Sequence, residues 1–181
     1  TNDPNTLSKY NEYKVKILEC ESVNKFITEK YLSFLVDNKE VYDRVLLSDT
    51  RDVVFQHNPF EHMDTKLHLV TEDLKINDQY LNKFWVEQDY GVDILSQIGD
   101  NTIICAGTTY GGIIPVIDMV SKILVHIQKN YQATLNYLYR TDQLDAVVES
   151  NDGHSLVWTI GTKIDTEHDD FYGIIGHHIV T

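Results

Sequence analysis

Two aspartates, Asp49 and Asp52, stand directly after a short apolar run and have the chemistry to hold a divalent cation. The run, Val45 to Leu47, is typical of a strand buried on both faces. In open α/β sheets, ligands bind at the carboxyl ends of the strands. Mg²⁺ and Mn²⁺ take one or two carboxylates and complete their coordination with water and phosphate oxygens. This spacing therefore indicates a metal site for a diphosphate ligand.

The same aspartates also have a simpler structural interpretation. Asp49 can cap a helical turn at 50–56, and Asp52 can pair with Arg44 or Arg51 on the surface. For two nearby aspartates taken alone, this interpretation is the commoner one. The residues around them therefore decide between the two.

The string SDTRDVVFQHNPF, residues 48–60, resembles the metal-binding motif of GT-A type glycosyltransferases, which use nucleotide diphosphate sugars as donors. Asp49 and Asp52 match the paired aspartates, with the second carboxylate one residue later than in the simplest Asp-x-Asp form. The resemblance implies that Asp49, Arg51 and Asp52 bind the donor diphosphate together with Mn²⁺ or Mg²⁺. A late histidine often completes the metal shell in this family, which implies one of the pair His177 and His178, with His177 as the candidate; adjacent strand residues point to opposite faces, so at most one of them ligates.

The segment NTIICAGTTYGG, residues 101–112, resembles a second element of the family, a strand that leads into a glycine-rich turn beside the transferred sugar. The resemblance implies that Ala106 and Gly107 contact the donor. Small residues let the backbone approach a ligand closely. The alternative is a buried strand that ends in an ordinary turn before a helix.

The segment YQATLNYL, residues 131–138, resembles a third element, in which relatives have Asp-Gln before a helix that carries Leu-Asn-Tyr. Gln132 matches and is implied to position the sugar, whereas Tyr131 stands where relatives have the aspartate. The catalytic group is not identified by this pattern. Asp142 and Gln132 are weak candidates, and Asp118 and Glu149 are further candidates for a general base.

Composition predicts one globular domain, because 181 residues with 42% apolar content suit a single core. We expect a polar arm at 1–12 and one domain at 13–181 that is incomplete at both ends. The formal charge of −13 disfavours nucleic acids and anionic membranes as partners. A bound cation would reconcile that charge with a diphosphate.

No signal peptide or long apolar span is visible in the sequence, so we expect a soluble, cytoplasmic domain. Cys20 and Cys105 lie in different predicted elements and outside any metal-binding pattern, which predicts two free core thiols. His57, His62 and His68 have no regular ligand spacing and are expected on the surface.

Hydrophobic periodicity predicts alternating helices and strands. Helices are predicted at 22–37, 78–90, 113–127 and 131–140, and strands at 44–48, 66–71, 102–106, 147–148 and 156–158. The last two strands flank an Asn-Asp-Gly turn at 151–153 that is typical of a hairpin. The pattern and the resemblance together predict an α/β domain of the GT-A (Rossmann-like) type, with a mixed, mainly parallel sheet flanked by helices.

The predicted function is metal-dependent transfer of a sugar from a nucleotide diphosphate donor, by resemblance a uridine one, to the hydroxyl of a carbohydrate or glycoconjugate acceptor. One alternative is a non-catalytic module that keeps the fold and binds a sugar or nucleotide. A glycoside hydrolase is less consistent with the sequence, because its two carboxylates would face each other across a cleft rather than share one loop.

Overall fold

The computed structural model describes residue 18 and residues 24–49, 53–55, 57–151, 156–159 and 178–180. Its helices are α1 (Asn24–Asn38), α2 (Tyr80–Ile98), α3 (Ile113–His126) and α4 (Tyr131–Arg140). Its strands are β1 (Arg44–Ser48), β2 (Val53–Phe55), β3 (His68–Lys75), β4 (Thr102–Gly112), β5 (Val147–Glu149), β6 (Val157–Thr159) and β7 (His178–Val180). The polar arm predicted at 1–12 lies outside the described residues.

Four strands form a mixed sheet in the order β1-β4-β3-β5. β4 runs antiparallel to both β1 and β3, and β5 pairs with β3 in parallel. An α/β fold with a mixed sheet flanked by helices is therefore confirmed. The prediction of mainly parallel pairing is wrong, because β4 inserts between two strands that run in the other direction. Hydrophobic runs indicate that a strand is buried but not which way its neighbours run.

The last strands do not form the predicted hairpin. β5 pairs with β3, whereas β6 pairs antiparallel with β7 in a second sheet of order β2-β7-β6. Asn151 connects the two sheets: its backbone N donates to Thr71 Oγ1 on β3 at 3.2 Å, and its Oδ1 accepts from Thr159 N on β6 at 2.8 Å. The asparagine of the predicted turn therefore bridges the sheets instead of closing a hairpin.

Helices α1, α3 and α4 cover one face of the four-stranded sheet. The buried apolar side chains there include Leu35, Leu69, Ile104, Val120 and Leu135. A separate cluster on the other face contains Met63, Val70, Tyr110 and Val157. Successive strand residues point to opposite faces, which is why Leu69 and Val70 fall in different clusters.

Helix α2 packs on α4 around a further cluster of Ile76, Val86, Ile98 and Ala133. The helix predicted at 78–90 continues to Ile98, but its backbone is non-helical at Gly91, with φ 83° and ψ 170°. The sequence therefore located the first helical stretch and missed the second. No helix in the described part of the chain is both long and apolar enough to cross a bilayer.

Candidate functional site

Asp49 lies where the pairing of β1 with β4 ends. The antiparallel ladder runs from Arg44 opposite Gly112 to Ser48 opposite Thr108. The backbone N of Asp49 continues it by donating to the carbonyl O of Gly107 at 2.9 Å. Three segments, 48–60, 101–112 and 131–138, carry the resemblance and are called the family-like segments here. Asp49, the first predicted metal ligand, is thereby placed beside the second of them, although the two are far apart in the sequence.

Gly107 lies within β4 and not in a turn, so the prediction of a glycine-rich turn there is wrong. The strand continues to Gly112, and its register against β3 shifts: Leu69 is opposite Thr109, whereas Val70 is opposite Cys105. The three residues Ala106 to Thr108 therefore form a bulge that β3 leaves unpaired. Bulges bend a strand and occur frequently beside active sites.

Gly111 and Gly112, at the end of β4, have a structural role in close packing. A Cβ atom on Gly111 would overlap the carbonyl O of Lys66, and one on Gly112 would lie 2.5 Å from Thr65 O. Gly111 also has φ 151°. These two glycines let β4 approach the neighbouring chain closely, so the glycine-rich appearance of the segment reflects packing at its far end.

Beyond the end of β1, side chains of helix α4 form the hydrogen bonds to the backbone edge of β4. Gln132 Oε1 accepts from Ala106 N at 3.0 Å, and Asn136 Oδ1 accepts from Ile104 N at 2.8 Å. Asn136 Nδ2 donates to Ile104 O at 2.9 Å, and Arg140 Nη2 donates to Thr102 O at 2.6 Å.

This side-chain ladder follows from helix and strand geometry. Gln132, Asn136 and Arg140 are four residues apart, which is about 6.0 Å per step along a helix. Their backbone partners are two residues apart, which is about 6.7 Å per step along a strand. The polar stripe of α4 can therefore satisfy the strand edge that β1 leaves open, and this explains the Gln and Asn of the YQATLNYL segment without reference to a ligand.

The side-chain amide of Gln132 is heavily used by the protein itself. Besides the bond to Ala106, its Nε2 donates to Asn82 Oδ1 at 2.8 Å and to Glu72 Oε1 at 3.1 Å. Both amide hydrogens are thereby engaged. Gln132 links β3, β4 and α2, so its clearest role in the structure is to hold the bulge and not to donate to a ligand.

A cavity of about 260 Å³ lies at the junction of β1, the β4 bulge and the start of α4. Among the predicted site residues, it is lined by Asp49, Ala106, Gly107 and Gln132. The rest of the lining consists of Asn24, Ile27, Tyr31, Leu47, Ser48, Thr109 and Tyr131. The structure therefore brings together residues from all three family-like segments.

The other predicted site residues do not line this cavity. Three of them, Arg51, Asp52 and His177, lie outside the described residues, so Asp49 is the one proposed metal ligand that the structure describes. Asp142 follows the far end of α4, roughly 15 Å along the helix axis from Gln132. The structure does not bring it to the cavity.

The remaining candidates for a general base are also remote from the cavity. Asp118 is exposed on α3 and pairs with Lys122 at 2.7 Å. Glu149 lies on β5, at the opposite edge of the sheet from β1. Among the described residues, no group of three or more His, Cys, Asp or Glu side chains is arranged to hold a metal ion.

Cys105 lies under the bulge and is a buried thiol that forms no disulfide, as predicted; Cys20 is outside the described residues. Burial, and then the nearby carboxylates of Glu72 and Asp49, raise the pKa of the Cys105 thiol to about 12. A thiol this basic is not a nucleophile at neutral pH. Burial likewise raises the pKa of the Tyr131 hydroxyl, so this cavity-lining side chain is a neutral phenol.

A second cavity, of about 450 Å³, lies beside β1 and is lined almost wholly by apolar side chains, among them Leu35, Val45 and Phe60. It contains none of the predicted site residues. Ligand sites combine an apolar wall with a few convergent polar groups. The smaller cavity has that combination, and it is therefore the candidate functional site.

One polar cluster was missed in the sequence. His68, expected on the surface, has a side chain only 12% exposed, and its Nδ1 lies 2.9 Å from Glu149 Oε1 and its Nε2 2.8 Å from Asp64 Oδ1. Tyr110 stacks on the imidazole and donates its hydroxyl to the same Glu149 oxygen. Only the spacing of Asp64 and His68 was visible in the sequence, because Glu149 arrives through the pairing of β5 with β3.

No protein-family model matches this chain, and a search of curated proteins found no match.

Proposed function

We propose that this protein is a metal-dependent glycosyltransferase of the GT-A type, which transfers a sugar from a nucleotide diphosphate donor to an acceptor hydroxyl. The observation that carries the proposal is the convergence of three family-like segments on one cavity of about 260 Å³. Asp49, Gly107 and Gln132 are 25 or more residues apart in the chain and meet at the end of β1. By the same resemblance, the nucleotide is a uridine diphosphate.

One side chain at the cavity has the chemistry that a hard cation takes. Asp49 is exposed and lines the cavity, and it supplies a carboxylate. Mg²⁺ and Mn²⁺ prefer oxygen ligands and often take only one or two from carboxylates. Asp49 would hold the ion, with Asp52 and His177 as the further ligands implied by the resemblance. The ion would neutralise negative charge on the diphosphate.

The residues of this chain have separate roles in the proposal. The backbone of Ala106 and Gly107 forms the cavity wall and permits close approach of the donor. Gln132 keeps that wall in place through its bonds to Ala106, Asn82 and Glu72. Holding the reacting groups in a fixed geometry is itself a large part of catalysis of transfer reactions.

A binding module without catalysis is the second candidate function. Asp49 is the only carboxylate among the described residues that line the cavity, and Tyr131 occupies the position of the family's aspartate. A site with these residues can bind a nucleotide sugar with a cation and still lack the group that accepts the acceptor's proton.

Calorimetry of UDP binding in the presence and absence of Mn²⁺ tests the metal-diphosphate site. We expect binding that requires Mn²⁺ and that Asp49→Asn weakens about a hundredfold, or roughly 2.8 kcal/mol. The matched control is Asp43→Asn, at the other end of β1, where the aspartate is exposed and pairs with Arg44 at 3.3 Å. Binding of UDP by the Asp49→Asn protein as tight as by the parent would refute the proposal.

Measurement of turnover distinguishes the glycosyltransferase from the non-catalytic binding module. The enzyme should release UDP from UDP-glucose or UDP-galactose when Mn²⁺ and a sugar acceptor, or water alone, are present. Release that depends on Mn²⁺ and is lost in Asp49→Asn supports the transferase. Tight Mn²⁺-dependent binding of both donors without release supports the module.

A further inference from the structure

The Thr109 hydroxyl at the candidate site is buried, and the part of the chain that the structure describes gives it no hydrogen-bond partner. Thr109 lies on β4 and is 2% exposed, and its Oγ1 is buried without a hydrogen-bond partner among the described residues. A buried polar group that forms no hydrogen bond is costly, and most native structures contain few. Valine has the same shape, favours strands equally and carries no such cost. The threonine at this position therefore requires an explanation.

The position of Thr109 in the sheet places its side chain on the face that the helices cover. Thr109 is directly opposite Leu47 on β1 and Leu69 on β3. Residues opposite one another in an antiparallel pair have their side chains on the same face. Leu47 and Leu69 both pack in the cluster beneath the helices. Thr109 also lines the candidate cavity, which opens on that face between α1 and α4.

The chemistry of the cavity indicates what a partner for this hydroxyl would be. The described residues that line the cavity include the Asp49 carboxylate and no Lys, Arg or His. An anionic group is therefore disfavoured in the cavity itself. Hydroxyl groups of a neutral ligand can both donate to and accept from Thr109, and the Tyr31 and Tyr131 rings offer apolar surface of the kind on which a sugar ring packs.

We infer that Thr109 is a specificity-determining residue, whose hydroxyl hydrogen-bonds to a hydroxyl of a neutral sugar ring bound in this cavity. The inference rests on the proposed function, because it assigns the cavity to the sugar half of the donor and leaves the diphosphate outside it near Asp49. It adds Thr109, which lies in the segment 101–112 but is not among the residues that the resemblance singled out.

Thr108 is a matched control on the same strand. It is fully buried, and its Oγ1 also has no partner among the described residues, but Thr108 does not line the cavity. Its position alternates with that of Thr109 and matches that of Tyr110, which packs in the cluster on the opposite face. Replacement of either threonine by valine removes one unpartnered hydroxyl, and only Thr109 faces the proposed ligand.

The test uses the whole chain with free glucose, galactose, mannose and N-acetylglucosamine as probes, measured by ligand-observed saturation-transfer NMR. We expect the parent to bind at least one of the four sugars, and Thr109→Val to weaken that binding about tenfold, as expected for one lost hydrogen bond. Thr109→Ser, which keeps the hydroxyl, should retain most of the affinity. Thr108→Val should bind like the parent.

Thermal unfolding provides a second measurement. Because the Thr109 hydroxyl has no hydrogen-bond partner among the described residues, Thr109→Val should have a Tm equal to or above that of the parent. A clear fall in Tm would show that the hydroxyl is bonded within the protein and would overturn the inference. So would the absence of binding to all four sugars, or unchanged sugar binding by Thr109→Val.

Binding of UDP with Mn²⁺, measured on the same proteins, separates this inference from the proposed function. Thr109-dependent sugar binding without any UDP binding would overturn the transferase proposal and leave the sugar site standing. Mn²⁺-dependent UDP binding together with sugar binding that is unchanged in Thr109→Val would overturn this inference and leave the transferase proposal standing. We expect both kinds of binding, and we expect the control Thr108→Val to leave the affinity for UDP unchanged.

Discussion

Gln132 Oε1 and the backbone N of Ala106 are joined by a hydrogen bond of 3.0 Å, which fixes the start of α4 to the bulge of β4. The bond lies next to the one that joins Asp49 N to Gly107 O. At this point the hydrogen-bond partner of the β4 edge changes from the backbone of β1 to the side chains of α4. The candidate cavity lies at that junction, so the same bonds that complete the sheet also shape the site.

Replacement of Gln132 should therefore affect both stability and the site. In Gln132→Leu, the Ala106 N–H, Asn82 Oδ1 and Glu72 Oε1 each lose the hydrogen bond to Gln132, and we expect a loss of about 1–3 kcal/mol in the free energy of unfolding. Urea denaturation measures this loss. Gln128→Leu, at an exposed position just before α4, is the control and should stay within about 0.5 kcal/mol of the parent. Equal stability of the two variants would contradict the bridging role of Gln132.

Gly91→Ala should destabilise the protein through the backbone alone. With φ 83° and ψ 170°, Gly91 adopts a conformation that is open almost only to glycine, and no atom lies within 4 Å of a Cβ placed there. We expect a loss of about 1–3 kcal/mol, measured by urea denaturation. Asp93→Ala, at an exposed position two residues later, should change stability little. Unchanged stability of Gly91→Ala would show that α2 becomes continuous at no cost.

The stability of the protein should depend on the ionisation of Asp64. The hydrogen bond from His68, and then the one from Lys66 N, lower the pKa of Asp64 below its ordinary value of 3.8. A lowered pKa in the folded state means that the contribution to stability is present above the unfolded value and is lost as the pH falls through the folded one. The stability difference between the parent and Asp64→Asn should therefore be largest above about pH 4 and shrink on acidification.

Urea denaturation of both proteins between pH 6 and pH 2 measures this dependence. Proton titration by NMR gives an independent check, since His68→Gln should raise the pKa of Asp64 toward the ordinary value. A stability difference that does not change across this pH range would show that the His68–Asp64 contact contributes nothing in solution.

Cys105 should resist thiol reagents in the folded protein. Burial raises its pKa to about 12, from an ordinary value of 9.0, so the thiolate fraction near pH 8 is roughly a thousandfold lower than for a free cysteine. In a Cys20→Ser protein, which leaves Cys105 as the single thiol, labelling with a disulfide reagent at pH 8 should be slow until denaturant is added. Rapid labelling without denaturant would place Cys105 in contact with solvent.

Most element types and part of the lining of the site were predictable from the sequence. The apolar run before Asp49 and the stripe that begins at Ile113 gave a strand and a helix close to their observed bounds, because hydrophobic periodicity is a local property of the chain. The place after the apolar run singled out Asp49, whereas Gly107 and Gln132 were identified through the resemblance. Their meeting at one cavity was expected only through the resemblance.

The tertiary structure alone decided the strand directions, the bulge of β4 and the partners of the polar side chains. A sequence pattern does not show that β4 inserts between β1 and β3, that α4 replaces a strand along its edge, or that Glu149 reaches His68 from β5. Each of these depends on contacts between segments distant in the chain, where hydrogen-bond satisfaction selects the partner. The sequence by itself determined which residues have the chemistry for a site, and the fold determined which of them share it.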